Sequence, residues 1–166
     1  MNKLISLFLV LGSFSASAED ASAEYLTRIC KRNSTDAEVD ACFFLVESGK
    51  VFPKAAVSLC TNRTRNWNLN GCLASVADGQ FDDRMLRICK SLQRESAGLI
   101  GCINAINGAE FQPEAVTFCR TVESRGQLNT CFTTIRNKEY SEDEIRSCRK
   151  FRTDAGMIRC LSESGS

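Results

Sequence analysis

The side chains in this 166-residue sequence whose number and spacing could do chemistry are first of all thiols, ten Cys beside no His. Without His, the usual general base near neutral pH, the commonest metal ligand and every Ser-His or Cys-His nucleophile pair are missing. The thiols are Cys30, Cys42, Cys60, Cys72, Cys89, Cys102, Cys119, Cys131, Cys148 and Cys160. No two form a C-x-x-C pair, the spacing that supports metal chelation or a low-pKa redox thiol. They read as a disulfide framework, and neither a metal nor a cofactor is expected. The clusters Asp82-Asp83 and Glu142-Asp143-Glu144 have the composition of a glycosidase acid pair. Each opens a predicted helix, however, where negative charge complements the macrodipole. No catalytic residue is assigned.

Trp67, the only tryptophan, is the other anomaly. Arg63, Arg65, Asn66 and Asn68 surround it, a set able to stack on and hydrogen-bond a sugar or a partner side chain. Two expectations follow from its size. As an exposed anchor it would carry binding and little stability, whereas as a gap filler its loss would cost about 3–5 kcal/mol of stability.

The cysteine steps define the elements that must position these residues. They run 12, 18, 12, 17, 13, 17, 12, 17 and 12. Two alternating steps summing to 29 or 30 mean five copies of one unit, roughly 22–50, 51–80, 81–110, 111–139 and 140–166. Three places before the second Cys of each unit stand Val39, Leu69, Leu99, Leu128 and Met157, and one place after it Phe43, Leu73, Ile103, Phe132 and Leu161. With Val46, Val76, Ile106 and Ile135 four places after, this is the apolar stripe of an amphipathic helix.

The first Cys closes a second such pattern. Phe52, Phe81, Phe111 and Tyr140 lie eight places before it, and Val57, Leu86, Val116 and Ile145 three before. Polar stretches such as Asn33-Ser34-Thr35 separate the two helices. The expected fold is all-α, an α-solenoid of five αα-hairpins, with helices of about ten to thirteen residues that are marginal alone and gain stability by stacking. Ser22 replaces the aromatic in the first unit, and Glu144 and Ser147 interrupt the stripe in the last, as polar end units would.

Residues 12 or 13 apart face each other across a hairpin with a central turn. The expected bridges are therefore 30–42, 60–72, 89–102, 119–131 and 148–160. The alternative, beginning 42–60, would strand Cys30 and Cys160. The pattern resembles secreted, cysteine-paired αα-repeat proteins of Gram-negative bacteria, of which the Sel1-like repeat proteins are the best known. The likeness spans 22–161 and is one of architecture, since the Sel1-like unit is longer and its two Cys lie closer together. It implies a binding or scaffold role and carries over no functional residue.

Residues 1–18 have Lys3, an apolar run from Leu4, and Ala16-Ser17-Ala18 before Glu19-Asp20, the order of a secretory signal peptide. Even extended to Phe14 the run falls short of the roughly 20 residues of a membrane span. Cleavage is expected after Ala18, with Ala23 as a second site, leaving one domain, 19–166, in the periplasm or outside the cell. The net charge of +1 argues against nucleic-acid binding. Charge is nevertheless segregated. Segments between the paired Cys hold 12 basic and 6 acidic residues, lining up Lys31, Arg32, Arg63, Arg65, Lys90, Arg94, Arg120, Arg125, Arg149, Lys150 and Arg152 along one rim. Cations at helix C-termini account for part of this. The expected function is a non-enzymatic interaction or scaffold module for an envelope protein or polysaccharide. The alternative is a protein associated with a cell-wall hydrolase, or an inhibitor of one.

Overall fold

Short polar residues placed just before apolar stripes set where the helices of this chain begin. In the computed structural model, which describes residues 19–61, 68–92 and 96–166, Thr35 and Glu38 form a reciprocal capping box that opens α2 (Asp36–Val46). Ser141 and Glu144 do the same for α9 (Glu142–Cys148). Side chains of Ser22, Asn68, Asp82 and Thr153 accept N–H groups in the first turns of α1 (Ala23–Cys30), α4 (Leu69–Val76), α5 (Asp83–Cys89) and α10 (Asp154–Ser164). Pro113 occupies the first turn of α7 (Pro113–Cys119), where its missing N–H costs nothing. The remaining elements are α3 (Lys54–Cys60), α6 (Ser96–Ile106) and α8 (Arg125–Ile135), with a 3-10 turn at Lys90–Leu92. No β-strand occurs among the described residues; one isolated bridge joins Asp20 to Pro53.

The first helix of each hairpin has only seven or eight residues, shorter than the stripe suggests. Phe52, Phe81, Phe111 and Tyr140 stand outside it, in the non-helical stretch that leads into the first helix. Phe52 and Tyr140 are buried nonetheless. Their periodicity reflects where the chain enters the core and not a further helical turn.

Five disulfides join the two helices of each hairpin: Cys30–Cys42, Cys60–Cys72, Cys89–Cys102, Cys119–Cys131 and Cys148–Cys160, with Cα separations of 5.4 to 5.7 Å. The shifted pairing is excluded. No Cys is free, which fits an oxidising compartment. Nine of the ten cysteines are buried in the core with Leu73, Leu99, Ile103, Phe118, Phe132 and Ile135, and Cys160 at the end of the stack is half-buried. Phe111 meets Phe132 edge to face at 6.2 Å, joining the entry of the fourth hairpin to its second helix.

A second tie closes the open end of the hairpins. In the second, the Val51 N–H donates to Asp78 Oδ1 at 2.9 Å while the Asp78 N–H donates to the Val51 carbonyl at 2.7 Å. Gln80 is held in the same way by Asn107 and Gly108, and Glu110 by Asn137. Glu139 and Ser166 exchange backbone hydrogen bonds alone. The chain turns at Gly49, Asp78, Gly108 and Asn137, all with φ between 54° and 77°, a left-handed conformation that Gly, Asn and Asp tolerate best.

Hairpins stack chiefly through their second helices, α2 on α4, α4 on α6, α6 on α8 and α8 on α10. The register is fixed by polar contacts as well as apolar ones. Asn70 Nδ2 donates to the Glu38 carbonyl at 2.8 Å, and Asn129 Nδ2 donates to the Gly98 carbonyl at 3.0 Å. The Asp154 carboxylate accepts from the N–H groups of Ser124 and Glu123 at 2.9 and 3.3 Å. The packing is that of a solenoid-like helical repeat. No helix among the described residues is long and apolar enough to cross a membrane.

Candidate functional site

Two hairpins bring four arginines together at a cleft that charge counting in the sequence only half anticipates. On α5, Arg84, Arg87 and Ile88 are spaced i, i+3 and i+4 and so share a face. The 3-10 turn continues this surface with Ser91 and Leu92. From the next hairpin come Arg120, which ends α7, Val122 in the turn, and Arg125 and Leu128 on α8. These residues enclose a cleft of about 530 Å³. Its floor is apolar, with Leu92 and Val122 buried and Ile88 and Leu128 half-buried, and its rim carries, among the described residues, the four exposed guanidinium groups and the Glu123 carboxylate.

Helix dipoles explain some of the basic rim and not this part of it. Lys31, Lys90, Arg120 and Arg149 all occupy the C-cap immediately after the first Cys of their hairpins, where a cation faces the negative end of the dipole. Arg84 and Arg125 instead lie in the first turns of α5 and α8, at the unfavourable positive end. Arg84 and Arg87 fall outside the Cys-to-Cys segments, which is why the rim count omits them. Their i, i+3 spacing ahead of Cys89 was the signal available.

Of the residues grouped with Trp67, Asn68 is the N-cap of α4, its Oδ1 accepting the Gly71 N–H at 2.8 Å. Trp67, Arg63, Arg65 and Asn66 lie outside the described residues, as do Arg94 on the basic rim and the expected signal peptide.

The acidic clusters are occupied at helix starts. Asp82 Oδ1 accepts the N–H groups of Arg84 and Met85. Glu142 and Asp143 pair with Arg146, and Glu144 Oε2 accepts both the hydroxyl and the N–H of Ser141 at 2.7 Å. Those bonds hold the Glu144 carboxyl below its ordinary 4.5. A groove of about 1040 Å³ beside it, between the starts of the fourth and fifth hairpins, includes Glu110, Gln112 and Tyr140. Gln112 grips the Tyr140 backbone through both amide atoms, at 2.8 and 2.9 Å. Burial, and then the Glu144 charge, push the Tyr140 phenol above its ordinary 10. No group of three or more candidate metal ligands occurs among the described residues.

Neither a family model, nor a curated protein, nor a solved structure matches this chain. The likeness to Sel1-like repeats therefore has only the architecture behind it.

Proposed function

We propose that this protein is a non-enzymatic interaction module, secreted or periplasmic, that holds an acidic segment of an envelope or extracellular protein in the arginine cleft between its third and fourth hairpins. The observation that carries this reading is the convergence of Arg84, Arg87, Arg120 and Arg125 on one apolar floor. Two of these cations stand where the helix dipole disfavours them, so local helix stability does not account for the set. Guanidinium groups present planar donor pairs suited to carboxylates. The floor of Ile88, Leu92, Val122 and Leu128 favours a protein segment that carries apolar side chains between its acids over a uniformly polar acidic polysaccharide.

The test compares a synthetic peptide alternating Glu and Leu with an acidic polyuronate, by titration calorimetry at two salt concentrations. The peptide is expected to bind more tightly, with affinity falling as salt rises, because exposed charges are screened beyond about 10 Å at 0.1 M. Changing Arg87 and Arg120 to Glu together should weaken peptide binding by about tenfold or more. Equal binding of both polymers, or indifference to the double substitution, would remove the cleft as the site.

A further inference from the structure

The two end hairpins present faces that the inner hairpins cover. Along α2, Asp36, Asp40, Phe43 and Glu47 recur at i, i+4, i+7 and i+11, so they share one side of the helix. Asp36 stands six places before the second Cys of its hairpin, the position of Asp154 in the last hairpin. Asp40 stands two before, the position of Asn70 and Asn129. Asn70 and Asn129 reach back to carbonyls of the preceding second helix, and Asp154 to the N–H groups of Glu123 and Ser124 just ahead of α8. On α2 both carboxylates are exposed, and Phe43 is only half-buried where Leu73, Ile103, Phe132 and Leu161 are fully buried. Phe44 beside it is 81% exposed.

The far end offers the matching acceptor surface. A groove of about 380 Å³ on α10 includes Phe151, Gly156, Arg159 and Cys160. Cys160 is half-buried, whereas Cys42, Cys72, Cys102 and Cys131 are fully buried, and Phe151 is 52% exposed. Gly156 occupies the register of Gly98, whose carbonyl takes the Asn129 amide, and Arg159 lies one turn further on. The N–H groups of Arg152 and Thr153 correspond to those of Glu123 and Ser124, which Asp154 binds. They make no hydrogen bond among the described residues.

Charge decides the orientation. α2 carries Asp36, Glu38 and Asp40, its C-cap is Glu47, and the helix has no basic residue. The last hairpin beyond Cys148 carries Arg149, Lys150, Arg152 and Arg159 against Asp154 and Glu163. Like ends repel and unlike ends attract. We infer that copies of this chain associate head to tail, with α2 of one copy lying on α10 of the next in the register the hairpins use internally. Asp36 then meets the Arg152 and Thr153 N–H groups of the next copy; Asp40, a carboxylate that cannot donate to the Gly156 carbonyl as the Asn129 amide does to that of Gly98, turns instead to Arg159 one turn on, which it shares with Glu163, 2.9 Å from that guanidinium. Such a heterologous contact does not close after two copies and propagates into short rods.

Sedimentation velocity of the oxidised chain over a wide concentration range tests this. The weight-average mass should rise continuously past the dimer at low salt and fall toward the monomer at high salt. Asp40→Arg or Arg159→Glu alone should weaken association by about tenfold or more, and both changes in one chain should restore it. Circular dichroism of each variant confirms that the helices persist. A monomer at all concentrations, an association that stops at the dimer, indifference to the single changes, or failure of the paired change to restore association would each overturn the inference.

Discussion

Asn137 shows how much one residue type does in this repeat. Its φ of 54° is a conformation that costs most L-residues roughly 1–2 kcal/mol, and its Oδ1 holds the Glu110 N–H at 2.8 Å. Asn137→Ala loses both the tolerance and the acceptor, and should lower stability by about 2 kcal/mol in urea unfolding. Asn137→Gly keeps the tolerance and should cost roughly half as much. Equal losses would show that the hydrogen bond alone matters. Neither effect was legible in the sequence, because Asn137 and Glu110 are 27 residues apart and only the closed hairpin brings them together. The cysteines were legible because their partners are 12 or 13 residues away, a distance one helical hairpin fixes.

At the scale of the element, capping determines where helices begin, and it overrules the hydrophobic period. Tyr140 fits the apolar repeat, yet α9 starts only at Glu142 because Ser141 and Glu144 cap each other. The second helices were readable from their stripes, and the first helices were over-extended for this reason. The arrangement at α9 also sets a pH dependence. Glu144 is held below its ordinary value, so its contribution is present above about pH 4.5 and is lost as pH falls through its lowered folded value. Comparing the native chain with Glu144→Gln by urea unfolding between pH 3 and 7 should show a stability gap that is widest near neutrality and narrows in acid. A gap that widened toward acid would contradict the capping account.

For the whole molecule, stability is a chain of hairpin terms and interface terms, since among the described residues the main helix contacts lie within a hairpin or between successive hairpins. A disulfide that closes a loop of this size contributes about 3 kcal/mol in the chain-entropy model. Replacing Cys89 and Cys102 together by Ala therefore weakens the middle hairpin and the stack on both sides of it. The same change at Cys148 and Cys160 weakens one end. Hydrogen exchange resolved by fragment should show lost protection across the second to fourth hairpins in the first case and mainly in the fifth in the second. Uniform loss in both would mean that the molecule unfolds as a single unit. At this scale the sequence revealed the number of hairpins and their order, whereas the arginine cleft depends on which faces the stack juxtaposes, information carried by no single repeat.

The placement of the five bridges also has a mechanical consequence. When the chain is pulled from its two ends, tension crosses each hairpin through the sulfur atoms and bypasses the backbone between the paired Cys. The loops 31–41, 61–71, 90–101, 120–130 and 149–159 are slack in that circuit, and load falls on the stretches that lead from one hairpin to the next. Arg120 and Arg125 belong to a slack loop, while Arg84 and Arg87 lie on a loaded one. Force on the molecule would thus draw the two sides of the cleft apart without uncoiling the turn that carries Arg120 and Arg125, so that a bound partner is released by separation of its supports before either support is itself unravelled.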